Sequence, residues 1–410
     1  MNNQHGVFSE SANSQSQSDS GSFFYKKVFL KLLQQLRHGQ LELITPNKEH
    51  LYFGDTHSQD VAVLQINDWR ACQKILQAGD IGFAEAYQQA WIDTPNLKLL
   101  LSLALKNEAQ LNRLIFGGSL MKYWYRVKHF FRRNTKQGSR KNIFAHYDIG
   151  NDFYKLWLDP SWTYSSALFD GNFQLSLEQA QAAKYQRIID QLSLKAGDRV
   201  LEIGCGWGGF AEQAAKQGIY VDGITISQSQ LNYAQQRIQK QGLQDLVNLR
   251  ICDYRDLEQT YDAIVSIEMF EAVGETFWDA YFEVVAKCLR PQGKALIQTI
   301  TIADDRFEAY RSTSDFIQEF IFPGGMLPSP SRFKDIANTH QLQCIDAYSF
   351  GLDYAETLKR WDSDFQEQRT RITELGLDLP FQRIWELYFA YCQVGFLEER
   401  TDVIQFTLQK

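Results

Sequence analysis

Val200-Leu201-Glu202-Ile203-Gly204-Cys205-Gly206-Trp207-Gly208-Gly209 reads as a short buried strand that ends in an acid and runs into a glycine-rich turn. A helix is expected next, over Phe210–Gln217. Four glycines in six positions let a ligand come close to the backbone, and without a ligand they cost chain entropy to no purpose. The helix start offers free N–H groups and the positive end of a dipole. Glu202, at the carboxyl edge of the strand, can accept hydrogen bonds from a polar group of a ligand. The layout predicts an adenosine-containing cofactor at the carboxyl edge of a parallel sheet.

Gly204, Gly206 and Gly209 also satisfy the dinucleotide pattern G-x-G-x-x-G. That pattern wants an acid roughly 20 positions on, at the end of the second strand, to hold a ribose hydroxyl. The second strand, Ile219-Tyr220-Val221-Asp222-Gly223-Ile224-Thr225, ends in Thr225, and Asp222 sits too early in it. The dinucleotide reading therefore fails at its second requirement.

Further out, alternating strands and helices continue. Strands are expected at Tyr220–Ile224, Val247–Cys252, Asp262–Ile267 and Lys294–Ile302, with helices at Gln228–Lys240 and Phe277–Leu289. This βαβ rhythm implies a parallel sheet with helices on both faces. Strands at Gln343–Ser349 and Val403–Thr407 are expected to add an antiparallel edge pair, and Arg306–Arg332 and Glu356–Cys392 read as helical cover. Upstream, a helix over Phe23–Leu36, strands at Gln40–Ile44, Leu51–Phe53 and Ala62–Ile66, and helices at Trp69–Ala78, Ile81–Trp91 and Leu97–Asn107 make a small α+β unit.

A chain of 410 residues is too long for one ordinary core. The expected division is a disordered tail over 1–22, an N-terminal α+β domain over 23–120, a basic aromatic linker over 121–141 and a catalytic domain over 142–410. The net charge of −7 argues against general nucleic-acid binding. Against that background, Lys122, Arg126, Lys128, Arg132, Arg133, Lys136, Arg140 and Lys141 occur with no acid among them and with aromatics interleaved. Such a patch points to an anionic membrane surface, with a solvated linker helix as the alternative. Six isolated cysteines, without zinc spacing, fit a reducing compartment. No metal site is expected. No apolar run reaches the roughly 20 residues that span a bilayer, and the start of the chain shows no signal-peptide core.

Taken together, several motifs resemble those of the cyclopropane-fatty-acyl-phospholipid synthase family, within the class I S-adenosylmethionine-dependent methyltransferases. They are His146-Tyr147-Asp148 with Gly150–Tyr154, Thr163-Tyr164-Ser165-Ser166, Leu201–Gly209, and Gly223–Ser227 with Gln230. They continue with Asp253–Leu257, Met269-Phe270-Glu271, Phe322–Gly325 with Leu327-Pro328, and Phe350-Gly351 with Asp353-Tyr354.

The resemblance implies a Rossmann-like, mostly parallel seven-stranded sheet with a helical lid insertion, preceded by the small α+β domain. It implies cofactor contacts at Tyr164, Ser165, Glu202, Gly204, Gly206, Gly208, Thr225, Ser227, Gln230, Asp253 and Tyr254. Thr225 and Gln230 suit ribose hydroxyls, Asp253 the adenine amino group, and Tyr254 the ring face; Asp253 as a turn cap is the plainer reading.

The reaction implied is methyl transfer from S-adenosylmethionine to the double bond of an unsaturated phospholipid acyl chain, giving a cyclopropane or methyl-branched chain. In the family a bound bicarbonate takes the proton, held by glutamate, histidine, tyrosine, cysteine and backbone. Here Glu271 and Tyr354 match, whereas Ser166 replaces the cysteine, Ala272 one histidine and Gln298 another. Serine and glutamine still donate to an anion, so bicarbonate stays open and the product is left undecided. Glu271, Tyr354, Gln298 and Ser166 are the expected catalytic group. The expected setting is cytoplasmic and peripheral to the membrane, with unsaturated phospholipid as partner and room for a homodimer. An N-methyltransferase of small amines and a lipid-binding relative without catalysis are the alternatives.

Overall fold

The computed structural model describes residues 23–115, 138 and 149–410. The 1–22 tail, the basic segment apart from Gly138, and His146-Tyr147-Asp148 lie outside the described residues. The chain divides into two compact units: Met1–Trp124 with Leu379–Leu387, and Tyr125–Asp378 with Tyr388–Lys410.

In the first unit, helix α1 (23–33) precedes strands β1 (Gln40–Ile44), β2 (His50–Gly54) and β3 (Val61–Ile66). Helix α2 (Arg70–Gln88), the short β4 (Ile92–Asp93), α3 (Leu97–Lys106) and α4 (Glu108–Ile115) follow. The sheet order is β2-β1-β3-β4, with β1 and β3 parallel. The two helices expected on either side of residues 79–80 are joined as α2 and kinked at Gly79, whose φ of 59° and ψ of −126° break the helix. Leu379–Leu387, placed by sequence in the catalytic stretch, clusters here instead. Its Arg383 donates to the Ile92 carbonyl at 2.9 Å and lies 3.8 Å from the Tyr87 ring centroid, contacts almost 300 residues apart in sequence.

The second unit holds helix α5 (Leu177–Gln191), then β5 (Arg199–Ile203), α6 (Gly209–Ala215), β6 (Tyr220–Thr225), α7 (Gln228–Lys240) and β7 (Val247–Ile251). It continues with β8 (Tyr261–Ile267), α8 (Trp278–Cys288), β9 (Leu289–Ile302), α9 (Pro330–Thr339), β10 (Gln343–Ser349), α10 (Gly351–Glu367) and β11 (Thr401–Gln409). The helix after the glycine turn starts one residue earlier and is shorter than expected.

The seven strands run in the order β10-β11-β9-β8-β5-β6-β7. β5 pairs in parallel with both β6 and β8, and β9 in parallel with β8. β11 lies antiparallel to β9 and β10 antiparallel to β11, which gives the expected edge pair. Side chains alternate between two cores, as the strand period requires. Leu201, Ile203, Ile264 and Ile297 face one core with Phe270 and Trp278. Val200, Val265 and Leu296 face the other with Ile188 and Phe210. From β5 the chain winds outward to β6 and β7, then returns on the other side through β8. The carboxyl ends of β5 and β8 therefore form the topological switch point, where open α/β sheets bind ligands.

Candidate active site

The turn after β5 adopts the strained backbone that glycine permits. Gly204, Gly206 and Gly208 have φ of 87°, 50° and 80°. A Cβ added at Gly206 would meet no protein atom within 4 Å, whereas one at Gly209 would fall 2.6 Å from the Tyr185 hydroxyl. The first glycine leaves room for a ligand, and the last is required by packing. Glu202 ends β5 at 3% exposure, and its Oε2 has no hydrogen-bond partner among the described residues. Burial pushes its carboxyl up to about 8, partly opposed by the positive charges of Arg237 and Lys184.

At the end of β6, Thr225, Ser227 and Gln230 come together. The Thr225 hydroxyl donates to Gln230 Oε1 at 3.2 Å, and Ser227 caps α7 by accepting from the Gln230 N–H. Past β7, the Asp253 carboxylate is gripped by Arg255, with Nε and Nη2 each at 2.7 Å, and accepts the Arg255 N–H. It thus acts as a turn cap and ion-pair partner here, and Tyr254 beside it packs edge-on to Tyr281.

The expected catalytic group assembles differently from its sequence reading. The Ser166 N–H, Gln298 Nε2 and the Tyr354 hydroxyl converge, but on Glu268 and not on Glu271. Ser166 N and Gln298 Nε2 donate to Glu268 Oε1 at 2.9 and 2.7 Å; Tyr354 donates to Oε2 at 2.7 Å. The Ser166 hydroxyl turns away to the Ala167 carbonyl. Gln298 is oriented by Gln405, its register partner on β11, whose Nε2 donates to Gln298 Oε1 at 3.0 Å. Glu268 leaves the end of β8 with φ of 49°, a left-handed conformation that costs a non-glycine residue about 1–3 kcal/mol.

Glu271 stands apart. Its Oε1 accepts the Ile300 N–H at 2.6 Å, and its Oε2 has no partner among the described residues. Its carbonyl receives the Met326 N–H, which anchors the loop after Phe322–Gly325. Burial raises the Glu271 carboxyl, and the Glu268 charge beside it raises it further.

Lys184 underlies the group. On α5, Leu177, Ala180, Lys184 and Ile188 share the buried face, so the ammonium is carried inside on an apolar stripe. It is 0% exposed, and its Nζ donates to the Ser165 hydroxyl. Burial lowers it to about 7, while Glu268, Asp159 and Glu202 hold it back from falling further. Glu268 is likewise raised by burial and lowered by Lys184 and its three donors.

Sequence reasoning missed Glu268 and Lys184. Both carry a readable signal: an acid directly after a largely buried strand, and a lysine in the middle of an apolar helical face. Tyr164 lies in an aromatic cluster, with ring centroids 5.6 Å from Tyr154, 5.4 Å from Trp157 and 5.3 Å from Trp361.

The orphaned Glu202 oxygen, the open side of Gly206 and the Thr225–Gln230 hydroxyl-and-amide cluster fit S-adenosylmethionine, and the strand order fits its users. The second unit is a class I S-adenosylmethionine-dependent methyltransferase. The family described as mycolic acid cyclopropane synthetase matches residues 134–406. Tuberculostearic acid methyltransferase UfaA1 of Mycobacterium tuberculosis is 37% identical over 82% of this chain and 80% of its own. Cyclopropane-fatty-acyl-phospholipid synthase of Escherichia coli is 35% identical over 79% and 81%. The solved structure of mycolic acid cyclopropane synthase CmaA1 with SAH and CTAB superposes with a TM-score of 0.61 at 31% identity, covering 66% of this chain and 98% of that one. The chain belongs to the mycolic acid cyclopropane synthetase family, and it is an S-adenosylmethionine-dependent methyltransferase of the cyclopropane-fatty-acyl-phospholipid synthase type.

Bicarbonate does not fit the donors as they stand. The three that would hold it are engaged by Glu268.

Proposed function

We propose that the enzyme transfers a methyl group from S-adenosylmethionine to the double bond of an unsaturated acyl chain in a membrane phospholipid, and that proton loss then gives a cyclopropane, a methylene-branched chain or a methyl-branched alkene. The cofactor, when bound, supplies an electrophilic methyl on a sulfonium. An alkene is a weak nucleophile, so the protein's part is to hold it in line and exclude water.

The observation that carries this reading is the aromatic cluster around Tyr164, which continues through Trp361 to Tyr354, the residue that donates to the partly buried Glu268. Ring faces favour a cation developing on an apolar chain. Glu268 and Glu271 supply negative charge and a proton acceptor in the same place. A soluble amine has its own lone pair and needs neither feature. The similarity to a fatty acid methyltransferase and to a phospholipid cyclopropane synthase supports the same substrate class. The basic aromatic segment Lys122–Lys141 supports work at an anionic membrane surface, on the cytoplasmic side.

The test is fragmentation mass spectrometry of phospholipids from cells with and without the protein. The expected product is an acyl chain heavier by one CH₂ unit at a former double bond. Unchanged phospholipids alongside a methylated amine would replace this reading with the N-methyltransferase one.

A further inference from the structure

We propose that Glu268 is the enzyme's own proton acceptor: its carboxylate occupies the anion cradle of Ser166, Gln298 and Tyr354 and takes the proton that the substrate cation loses, so that no external anion is needed. The inference rests on the lipid alkylation proposed above.

The cradle is built for a carboxylate. Three donors from three separate elements reach it at 2.7–2.9 Å, from the Tyr164–Ser166 loop, from β9 and from α10. The Gln298 amide is pinned by Gln405, so its N–H end faces the cradle. A carboxylate has about four acceptor positions. Two on Oε1 and one on Oε2 are used, which leaves one position on Oε2. The residue reaches this place only through a left-handed backbone, and that strain persists because the surroundings hold it. The neighbouring Glu271 has, among the described residues, one oxygen without a donor, whereas donors meet both oxygens of Glu268, so the surroundings favour the charge on Glu268 over Glu271. Lys184 supplies the compensating charge from below.

The electron pairs balance as follows. The alkene π pair forms a C–C bond to the sulfonium methyl, and the S–C pair stays on sulfur as a neutral thioether. The second alkene carbon is left cationic. A C–H bond of the new methyl then breaks and its proton moves to Glu268 Oε2. The released pair closes a three-membered ring onto the cation or, where a hydride has first shifted, forms an exocyclic C=C. Glu268 ends neutral and returns the proton to water after the products leave.

The experiment compares wild type, Glu268→Gln and Glu268→Gly. Glycine tolerates the left-handed backbone and empties the cradle, so the fold is expected to survive, as checked by thermal melting. Methylation of dioleoyl-phospholipid vesicles is followed by mass in bicarbonate-depleted and bicarbonate-supplemented buffer. In parallel, binding of ¹³C-bicarbonate is followed by NMR without substrate.

Wild-type turnover is expected to be indifferent to bicarbonate, and Glu268→Gln to lose at least about a hundredfold in turnover, in the range of removing a general base. Glu268→Gly is expected to bind bicarbonate where wild type does not, and to recover turnover when it is added. Bicarbonate binding to wild type, or a wild-type requirement for it, overturns the proposal, as does full turnover by Glu268→Gln. If wild type leaves the vesicles unmodified, the substrate reading fails. The binding comparison still decides whether Glu268 fills the anion site.

Discussion

Two neighbouring strand ends, those of β5 and β8, each carry a glutamate at the switch point, Glu202 buried and Glu268 partly buried, and the two are finished in opposite ways. Glu202 keeps an oxygen with no partner among the described residues, beside a turn that leaves open space. Glu268 is met on both oxygens by donors of its own chain. Leaving a buried acceptor unmade costs about 1–3 kcal/mol. A fold carries that cost where a ligand will relieve it. The carboxylate already met by donors needs no ligand to satisfy it, which fits the base role proposed for Glu268. The difference separates a receptor from a reagent on one sheet edge.

The largest effects should divide along this line. Gly206→Val puts a branched side chain into the open side of the turn at φ of 50° and should weaken S-adenosylmethionine binding by at least about a hundredfold, or about 2.8 kcal/mol. Glu268→Gln should leave that affinity within about threefold. Calorimetry on folded variants reads both, and an undiminished affinity in Gly206→Val would break the comparison at its first term.

The next effect sharpens the second term. Glu271→Gln copies the neutral form that burial and then the Glu268 charge favour, so its cost to turnover should be about tenfold, well below the loss for Glu268→Gln. If Glu271→Gln proves the more damaging, as measured by product formation at saturating cofactor, the roles of the two glutamates are reversed.

A smaller effect follows from the Glu202 carboxyl at about 8, above its ordinary 4.5. Between those values the fold without cofactor binds more protons at this site than the unfolded chain does. Its contribution to stability is therefore full below pH 4.5 and lost as pH rises through 8. A cationic cofactor favours the carboxylate, so binding should release a proton and affinity should rise with pH, by at most about tenfold per unit, and flatten above pH 8. Calorimetry in two buffers of different ionisation enthalpy counts the proton. No release at pH 7 would mean that Glu202 does not face the cofactor.

The smallest effect lies away from both strand ends. Arg133→Gln should reduce partitioning onto anionic vesicles by about 1 kcal/mol, roughly fivefold at low salt, with cofactor affinity unchanged. Sedimentation with vesicles reads it, and equal partitioning of variant and wild type would detach the basic segment from membrane docking.

Much of the receptor half was legible in the chain. A glycine turn has a local cause, since positive φ and close approach belong to the residues themselves. Thr225, Ser227 and Gln230 fall within one strand end and one helix cap, so their meeting follows from short-range geometry. The reagent half was read less well. Ser166, Gln298 and Tyr354 were picked out, but their common target was taken to be an ion near Glu271. That target is Glu268, which lies 102, 30 and 86 residues from the three donors. Asp253, expected at the adenine amino group, also has a partner two residues on, since Arg255 grips its carboxylate.

By itself the sequence determined the alternation of elements, the parallel sheet, the glycine turn and the membership in a lipid-modifying family, because periodicity, glycine positions and motif order are properties of adjacent residues. Only the tertiary structure decided which carboxylate the anion donors hold, where the Lys184 charge lies and that Leu379–Leu387 groups with the first unit. Those outcomes depend on side chains far apart in sequence. In a buried interior each donor, acceptor and charge must find a partner, and the fold alone sets which partners come within reach.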